Sequence, residues 1–369
     1  METPETHHSG LPANSRGLAN ATTALGTSAP RLAAAEVEQL VFRLYGLASR
    51  AEPLAAERDQ NCLVHAASGE RYVLKISNPS EPMPIVDFQI AALDHVAGIA
   101  PSLPLPRVIR TVAGRAREAV HLPDGSRCTI RMLTYVDGLQ ARETARSAAQ
   151  RRAMARCLAE LDTALAGFVH PAAMHDLLWN VATAHRLRDK LEFIANPDRR
   201  AIAALFMDRF TKDVLPRLPA LRAQVIHNDY HLYNVLVAPD DPIRVCGIID
   251  FGDMVLAPLV GEVATAASYH MENEEEPFAG ASQFIGAYHS SLPLTDAEQD
   301  VLPDLVATRH LITLLISEWR ASRYADNREY IMRHNPSAWQ ALSHMADCTR
   351  DTCREQLLAN LKSPGDPDE

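Results

Sequence analysis

The sequence lacks any apolar run long enough to span a membrane, because Arg, Asp or His interrupts every long hydrophobic stretch. It also lacks the charged segment followed by an apolar one that directs secretion. Residues 1–30 contain Ser, Thr, Pro, Gly and His but few apolar side chains, and we expect them to form a disordered tail. These absences favour a cytoplasmic protein with no membrane partner.

Cysteine pairs and positive charge are scarce as well. The six cysteines show no Cys-x-x-Cys spacing, which argues against a cysteine-bound metal and favours reduced thiols. The formal net charge is −10 at pH 7, and a chain of this charge is poorly suited to binding nucleic acid as its main task. We expect instead a small cationic or zwitterionic partner.

No Gly/Ser-rich or Pro-rich linker divides the middle of the 369 residues, so we expect two packed lobes rather than separable domains. The first half is rich in strand-like segments, and Lys75 lies near the end of the second strand of a hairpin. The predicted elements of this half are a helix at 33–47, a hairpin at 63–65 and 71–76, a helix at 86–96, and strands at 107–112, 118–122 and 128–133.

Beyond residue 137 the pattern becomes helical. Helices are predicted at 141–168, 181–195 and 199–223, and helical segments fill most of 258–363. Two short strands, 234–238 and 244–249, interrupt this part and are joined by a turn at 239–242. The sequence therefore predicts an α+β fold, with a β-rich N-terminal lobe over 31–137 built on an antiparallel sheet and a mainly helical C-terminal lobe over 138–363.

The densest polar cluster is His-Asn-Asp-Tyr-His-Leu-Tyr-Asn at residues 227–234. Apolar segments flank it on both sides, which is typical of a loop held between buried anchors and often of an active site. Sixteen residues after Asn234, an apolar strand leads into Asp250, Phe251 and Gly252. The Asp-x4-Asn spacing of Asp229 and Asn234, followed by Asp-Phe-Gly, repeats the layout of a kinase catalytic loop and its metal-binding triplet.

Phosphoryl transfer needs few protein groups: a carboxylate that orients the hydroxyl and accepts its proton, oxygen ligands for Mg²⁺, and a cation on the nucleotide. Asp229 can supply the first of these, and Asn234 and Asp250 can supply the second. Lys75 can supply the third. The four residues together predict a kinase.

The sequence resembles the aminoglycoside phosphotransferase and choline kinase superfamily, whose loops read like His-Gly-Asp-x-His-x-x-Asn followed by Ile-Asp-Phe or Ile-Asp-Trp. Within it, the sequence is most similar to the hydroxylysine kinase branch. The similarity spans roughly 33–345 and is carried by residues 59–61, 72–78, 88–89, 227–234 and 249–253. It implies a protein-kinase-like two-lobe fold and transfer of the γ-phosphate of ATP or GTP to a hydroxyl group.

For the catalytic loop, the resemblance implies that Asp229 is the catalytic base and that Asn234 and Asp250 bind Mg²⁺. It also implies that His231 braces the loop. His227 follows an apolar segment, and we expect it to be a buried brace rather than a reacting group.

For the nucleotide lobe, the resemblance implies that Lys75 contacts the phosphates, that Asp59 and Asn61 lie in the loop above them, and that Tyr135 lies in the hinge beside the base. Two features depart from the kinase pattern. The phosphate loop has no Gly-x-Gly, so close backbone approach to phosphate cannot be argued from glycine. The following helix offers Gln89 where a glutamate would pair with the lysine, and a neutral amide can hydrogen-bond Lys75 without neutralising it.

Several residues keep two interpretations at this stage. Asp253 can contact the metal or a cationic substrate, or form a hydrogen bond within its loop. Glu262 lies in an apolar helical stretch, which favours a structural role. Arg309 or Arg320 could bind the carboxylate of a zwitterionic acceptor.

Hydroxylysine is the favoured acceptor, with homoserine, choline and aminoglycosides as alternatives. Two hypotheses from other classes are a nucleotide-binding pseudokinase, motivated by Gln89 and the missing glycines, and a metal hydrolase that uses His227, Asp229 and His231.

Overall fold

The computed structural model describes residues 29–56, 59–122, 125–271 and 275–361. Nearly all of the expected tail at 1–30, and residues 362–363 of the expected C-terminal lobe, lie outside the described residues. Within the described segments, no helix is both long and apolar enough to cross a membrane.

The first lobe is built on one antiparallel sheet, as the sequence predicted. Its strands are β1 (Ser49–Leu54), β2 (Gln60–Ala66), β3 (Arg71–Ile76), β4 (Val108–Ile109), β5 (Glu118–His121) and β6 (Arg127–Thr134). The strands follow the order β1, β2, β3, β6, β4, and β5 pairs with β6 as well. The sequence did not predict β1, which contains Pro53; it is an edge strand, where proline is tolerated.

Two helices accompany this sheet. Helix α1 (Ala34–Tyr45) packs against it through Val37 and Val41. Helix α2 (Met83–Ile99) instead buries Phe88 and Leu93 in the large apolar core of the second lobe. The position of α2 is therefore set by both lobes.

The second lobe is mainly helical, also as predicted. Its α-helices are α3 (Ala148–Leu165), α4 (Pro197–Arg209), α5 (Leu259–Ser268), α6 (Ala279–Ser291), α7 (Asp296–Arg323), α8 (Arg328–Met332), α9 (Asn335–Asp347) and α10 (Arg350–Leu357). The segment predicted to be helical at 181–195 is a 3₁₀ helix, Val181–Phe193. The helix predicted at 199–223 was too long: α4 ends at Arg209, and a π turn and a 3₁₀ turn containing Pro219 follow.

Two small antiparallel sheets interrupt these helices. Their strands are β7 (Leu139–Gln140), β8 (Ala223–Ile226), β9 (Val235–Ala238), β10 (Asp241–Ile248) and β11 (Val255–Pro258). β9 pairs with both β10 and β7, while β8 pairs with β11. This arrangement brings the loop between β8 and β9 next to the loop between β10 and β11.

Candidate active site

The loop at 227–234 leaves β8 and enters β9, two strands whose adjoining residues Ile226 and Val235 are fully buried. The loop that carries Asp250 is tied to it, because the backbone N–H of Ile249 donates to the carbonyl of Asn234 at 2.9 Å. The two polar motifs of the sequence are therefore held side by side by buried strands.

A buried glutamate shapes the start of the catalytic loop. Asn228 adopts the left-handed conformation (φ 64°), and its backbone N–H donates to Oε2 of Glu262 at 2.7 Å. Glu262 lies in helix α5 and is fully buried. Burial disfavours the charged carboxylate and so raises the pKa of Glu262. Glu262 therefore has a structural role: it fixes the turn at Asn228 that precedes Asp229.

Hydrogen-bond donors converge on the Asp229 carboxylate from three directions. Nδ2 of Asn234 donates to Oδ2 at 2.8 Å, and Nε2 of His231 lies 3.4 Å from the same oxygen. Nη2 of Arg309 donates to Oδ1 at 3.3 Å. Because both oxygens are engaged and the side chain is only 21% exposed, the carboxylate has a fixed orientation.

The two loop histidines are neutral. His227 lies with Nε2 at 3.1 Å from the Ile249 carbonyl, and its Nδ1 accepts from the Asp229 N–H at 3.3 Å, which places the proton on Nε2. Burial lowers the pKa of His227 to about 4 and that of His231 to about 3. In the part of the chain that the structure describes, no group of three or more His, Cys, Asp or Glu side chains could hold a metal, so the metal-hydrolase hypothesis finds no ligand cluster there.

Asn234 and Asp250 offer oxygen atoms to a cation. The Asn234 amide directs Nδ2 to the Asp229 backbone carbonyl (3.0 Å) and carboxylate, which turns its oxygen to the opposite side. Asp250 is in the left-handed conformation (φ 63°) with its side chain 55% exposed, and Nζ of Lys75 lies 3.6 Å from its Oδ1. Two hard oxygen donors suit a divalent cation, which would take its remaining ligands from phosphate oxygens and water.

A cleft of about 600 Å³ runs between the lobes and is lined by most of the predicted site residues. His227 is fully buried, and neither it nor the carboxylate candidates Arg309 and Arg320 belong to the cleft lining. The predicted residues that line it are Asp59, Asn61, Lys75, Gln89, Tyr135, Asp229, His231, Asn234, Asp250 and Asp253. The apolar side chains of Leu54, Val73, Leu133 and Leu236 also line it. The apolar side chains suit a nucleotide base, and the polar groups suit its phosphates.

Close packing beneath the hinge depends on a glycine. A Cβ added to Gly247 would lie 2.7 Å from Cγ1 of Val136 and 3.0 Å from Cβ of Leu236. Because Gly247 on β10 has no side chain, the hinge at Tyr135 and Val136 packs directly against the sheet of β7, β9 and β10. Both hinge residues line the cleft.

Gln89 hydrogen-bonds Arg131 and the backbone of Gly252, rather than taking the place of a glutamate that pairs with Lys75. Its Oε1 accepts from Nη2 of Arg131 at 2.7 Å, and its Nε2 donates to the Gly252 carbonyl at 3.3 Å. The sequence did not suggest a role for Arg131, whose only signal was a charged residue inside the apolar strand β6.

Asp59, the predicted phosphate-loop residue, accepts from the backbone N–H of Asn78 at 3.0 Å.

Charged side chains of both signs line the cleft. Arg309, a candidate for the substrate carboxylate, has its guanidinium only 3% exposed and bonded to Asp229 and the Tyr269 hydroxyl. Arg333, which the sequence did not suggest, also lines the cleft and stacks over Tyr233, 5.2 Å from the ring centroid. Arg309 thus holds Asp229, whereas Arg333 belongs to the cleft lining.

Comparison with known proteins agrees with this geometry. The model of the phosphotransferase enzyme family matches residues 50–296. Hydroxylysine kinase of Mus musculus is 29% identical, over 90% of this chain and 94% of that protein. A microcompartment-associated aminopropanol kinase shares the fold with a TM-score of 0.66 at 19% identity, over 89% of this chain and 98% of that one.

A second solved structure, amicoumacin kinase in complex with AMP-PNP, Ca²⁺ and Ami, gives a TM-score of 0.61 at 15% identity, over 80% of this chain and 92% of that chain. The predicted protein-kinase-like two-lobe fold is confirmed. The chain belongs to the phosphotransferase enzyme family and is a small-molecule kinase that transfers a phosphoryl group to a hydroxyl group.

Proposed function

We propose that this kinase transfers the γ-phosphate of ATP or GTP to the hydroxyl of an amino-bearing acceptor, with hydroxylysine favoured. The observation that carries the proposal is the meeting of Asp229, Asn234, Asp250 and Lys75, from both lobes, in one cleft. These are the groups that phosphoryl transfer requires, and positioning is most of what a kinase contributes.

Asp229 is the proposed catalytic base. Its carboxylate, fixed by Asn234, His231 and Arg309, would accept a hydrogen bond from the acceptor hydroxyl and take its proton as the oxygen attacks phosphorus. The neutral histidines would support the loop rather than exchange protons, because their pKa values lie well below neutrality.

The nucleotide would lie with its base against the hinge at Tyr135 and its phosphates near Lys75, Asp59 and Asn61. Asn234 and Asp250 would hold a divalent cation, for which we favour Mg²⁺. When bound, such a cation neutralises charge on the phosphate oxygens.

The acceptor end of the cleft favours a zwitterion. Asp253 and Glu143 line the cleft and can attract an ammonium group, while Arg333 can attract a carboxylate. Hydroxylysine carries both groups and a hydroxyl, and the similarity to mouse hydroxylysine kinase supports it. Homoserine is also a zwitterion, whereas choline and aminoglycosides lack the carboxylate that Arg333 would bind.

An acceptor panel tests the proposal. The enzyme is incubated with Mg²⁺, ATP or GTP, and hydroxylysine, homoserine, choline or an aminoglycoside, and the product is identified by its mass. We expect the highest kcat/KM with hydroxylysine and a phosphorylated product 80 Da heavier, roughly the mass of one added phosphoryl group. A higher kcat/KM with choline than with either amino acid would overturn the zwitterion assignment, and no turnover with any acceptor would favour the pseudokinase.

A further inference from the structure

The nucleotide lobe contains a buried guanidinium that the proposed catalytic roles do not use. Arg131 lies in the middle of β6 and is only 5% exposed, although it lines the cleft. Burying a charge is unfavourable unless ion pairs or good hydrogen bonds compensate it. The partners of Arg131 therefore decide whether its role is structural.

Both direct side-chain partners of Arg131 are neutral. Nη1 donates to Oγ of Ser77 at 2.9 Å, and Nη2 donates to Oε1 of Gln89 at 2.7 Å. Among the described residues, no carboxylate forms an ion pair with it within 4.0 Å. Asp59, Glu81 and Asp250 act on it only through space, and burial lowers its pKa, yet a guanidinium remains protonated.

Strand pairing places this charge beside the nucleotide cation. In the antiparallel register, Lys75 lies opposite Arg131 on one side and opposite Asn61 on the other. Residues directly opposite each other in neighbouring strands point to the same face of a sheet. Asn61, Lys75 and Arg131 thus form a polar row across three strands, and all three line the cleft.

The neutral side chain at position 89 fits this row. A glutamate at that point, where the Gln89 amide oxygen is 2.7 Å from Nη2, would pair with Arg131 and cancel its charge. Glutamine holds the guanidinium in place and leaves its positive charge in the cleft. The glutamine at position 89, which departs from the kinase pattern, is therefore explained by its hydrogen bond with Arg131 on β6.

We propose that Arg131, positioned by Gln89 and Ser77, binds the β- and γ-phosphates of the nucleotide together with Lys75. Two cations suit a polyphosphate, whose charge replaces the ion-pair partner that Arg131 lacks among the described residues. The same pair also compensates for a phosphate loop without a Gly-x-Gly pattern. The inference rests on the nucleotide part of the proposed function and is independent of the acceptor.

The test compares phosphate-dependent binding with base-dependent binding in the full-length protein. Dissociation constants of ATP and of adenosine are measured with Mg²⁺ and without any acceptor for the wild type, Arg131→Met and Arg131→Lys. Arg127→Met, at the exposed start of the same strand, is the matched control. We expect Arg131→Met to raise the Kd of ATP about 10- to 100-fold, as for loss of a charged hydrogen bond, and to change the Kd of adenosine less than about twofold.

Arg131→Lys should give an intermediate loss, because it keeps the charge but not the two-pronged donor geometry. An ATP Kd that is unchanged in Arg131→Met would overturn the proposal. Equal losses for ATP and adenosine would also overturn it, because they would assign Arg131 to holding the lobe together.

Gln89→Glu provides a second measurement that does not depend on the folding of the arginine variants. It should raise the Kd of ATP while leaving that of adenosine unchanged, because the new carboxylate competes with phosphate for Arg131. Tighter ATP binding in Gln89→Glu would contradict the proposal, because it would show that a glutamate at position 89 pairs with Lys75 and improves the phosphate site. Since acceptors are absent from these measurements, their outcome is separate from that of the acceptor panel.

Discussion

Replacing the proposed base is the sharpest test of the catalytic geometry. Asp229→Asn keeps the size of the side chain but removes the proton acceptor. Loss of a positioned general base typically slows turnover by about 10²- to 10⁴-fold, and we expect kcat to fall within that range. The ATP dissociation constant should stay within about threefold, because Lys75, Asp250 and the hinge are untouched.

The stability effect of Asp229→Asn follows from its partners. An amide cannot accept on both ends, so at least one of the donors from Asn234, His231 and Arg309 loses its acceptor. The Arg309 guanidinium also loses the carboxylate with which it pairs. A loss of about 1–3 kcal/mol is expected, less than for a fully buried ion pair, because the Asp229 side chain is partly exposed.

The assay combines steady-state kinetics with the best acceptor, ATP titration by calorimetry, and urea unfolding of each protein. Asp208→Asn is the matched control, since Asp208 forms an exposed ion pair with Arg188 and should leave all three measurements unchanged. If kcat falls less than about tenfold, Asp229 is not the base. If ATP binding is lost together with stability, its role is structural.

Two further predictions address the metal and the buried glutamate. Asp250→Ala should abolish the Mg²⁺-dependent part of ATP affinity and leave metal-free ATP binding almost unchanged, as measured by titration with and without Mg²⁺; an intact Mg²⁺ effect would exclude Asp250 as a ligand. For Glu262, burial raises the pKa in the folded state from the ordinary 4.5 to about 7, so the folded protein retains a proton that the unfolded chain has lost. Stability from this group must therefore fall as pH rises from about 4.5 to about 7. Glu262→Gln, which keeps an acceptor for the Asn228 N–H, should remove that fall in urea unfolding between pH 5 and 8, and parallel profiles for the two proteins would contradict this.

Local sequence patterns determined much of the fold. Apolar periodicity located α1 and α2, and the Gly69 turn located the hairpin of β2 and β3. Patterns of this kind depend on near neighbours, which the chain specifies directly. The strands β1, β7, β8 and β11 were missed. β7, β8 and β11 have four residues or fewer, and β1 contains Pro53, so their stability comes from pairing with partners rather than from their own composition.

The sequence by itself also located the groups to which we assign the reaction, since Asp229, Asn234 and Asp250 lie in short motifs whose spacing reflects one local loop geometry. Only the tertiary structure could decide what surrounds them. Arg309 meets Asp229 from 80 residues away, and Arg131 meets Gln89 from 42 residues away. Such contacts arise from packing of distant helices and strands, and no local pattern encodes which arginine reaches which carboxylate or amide.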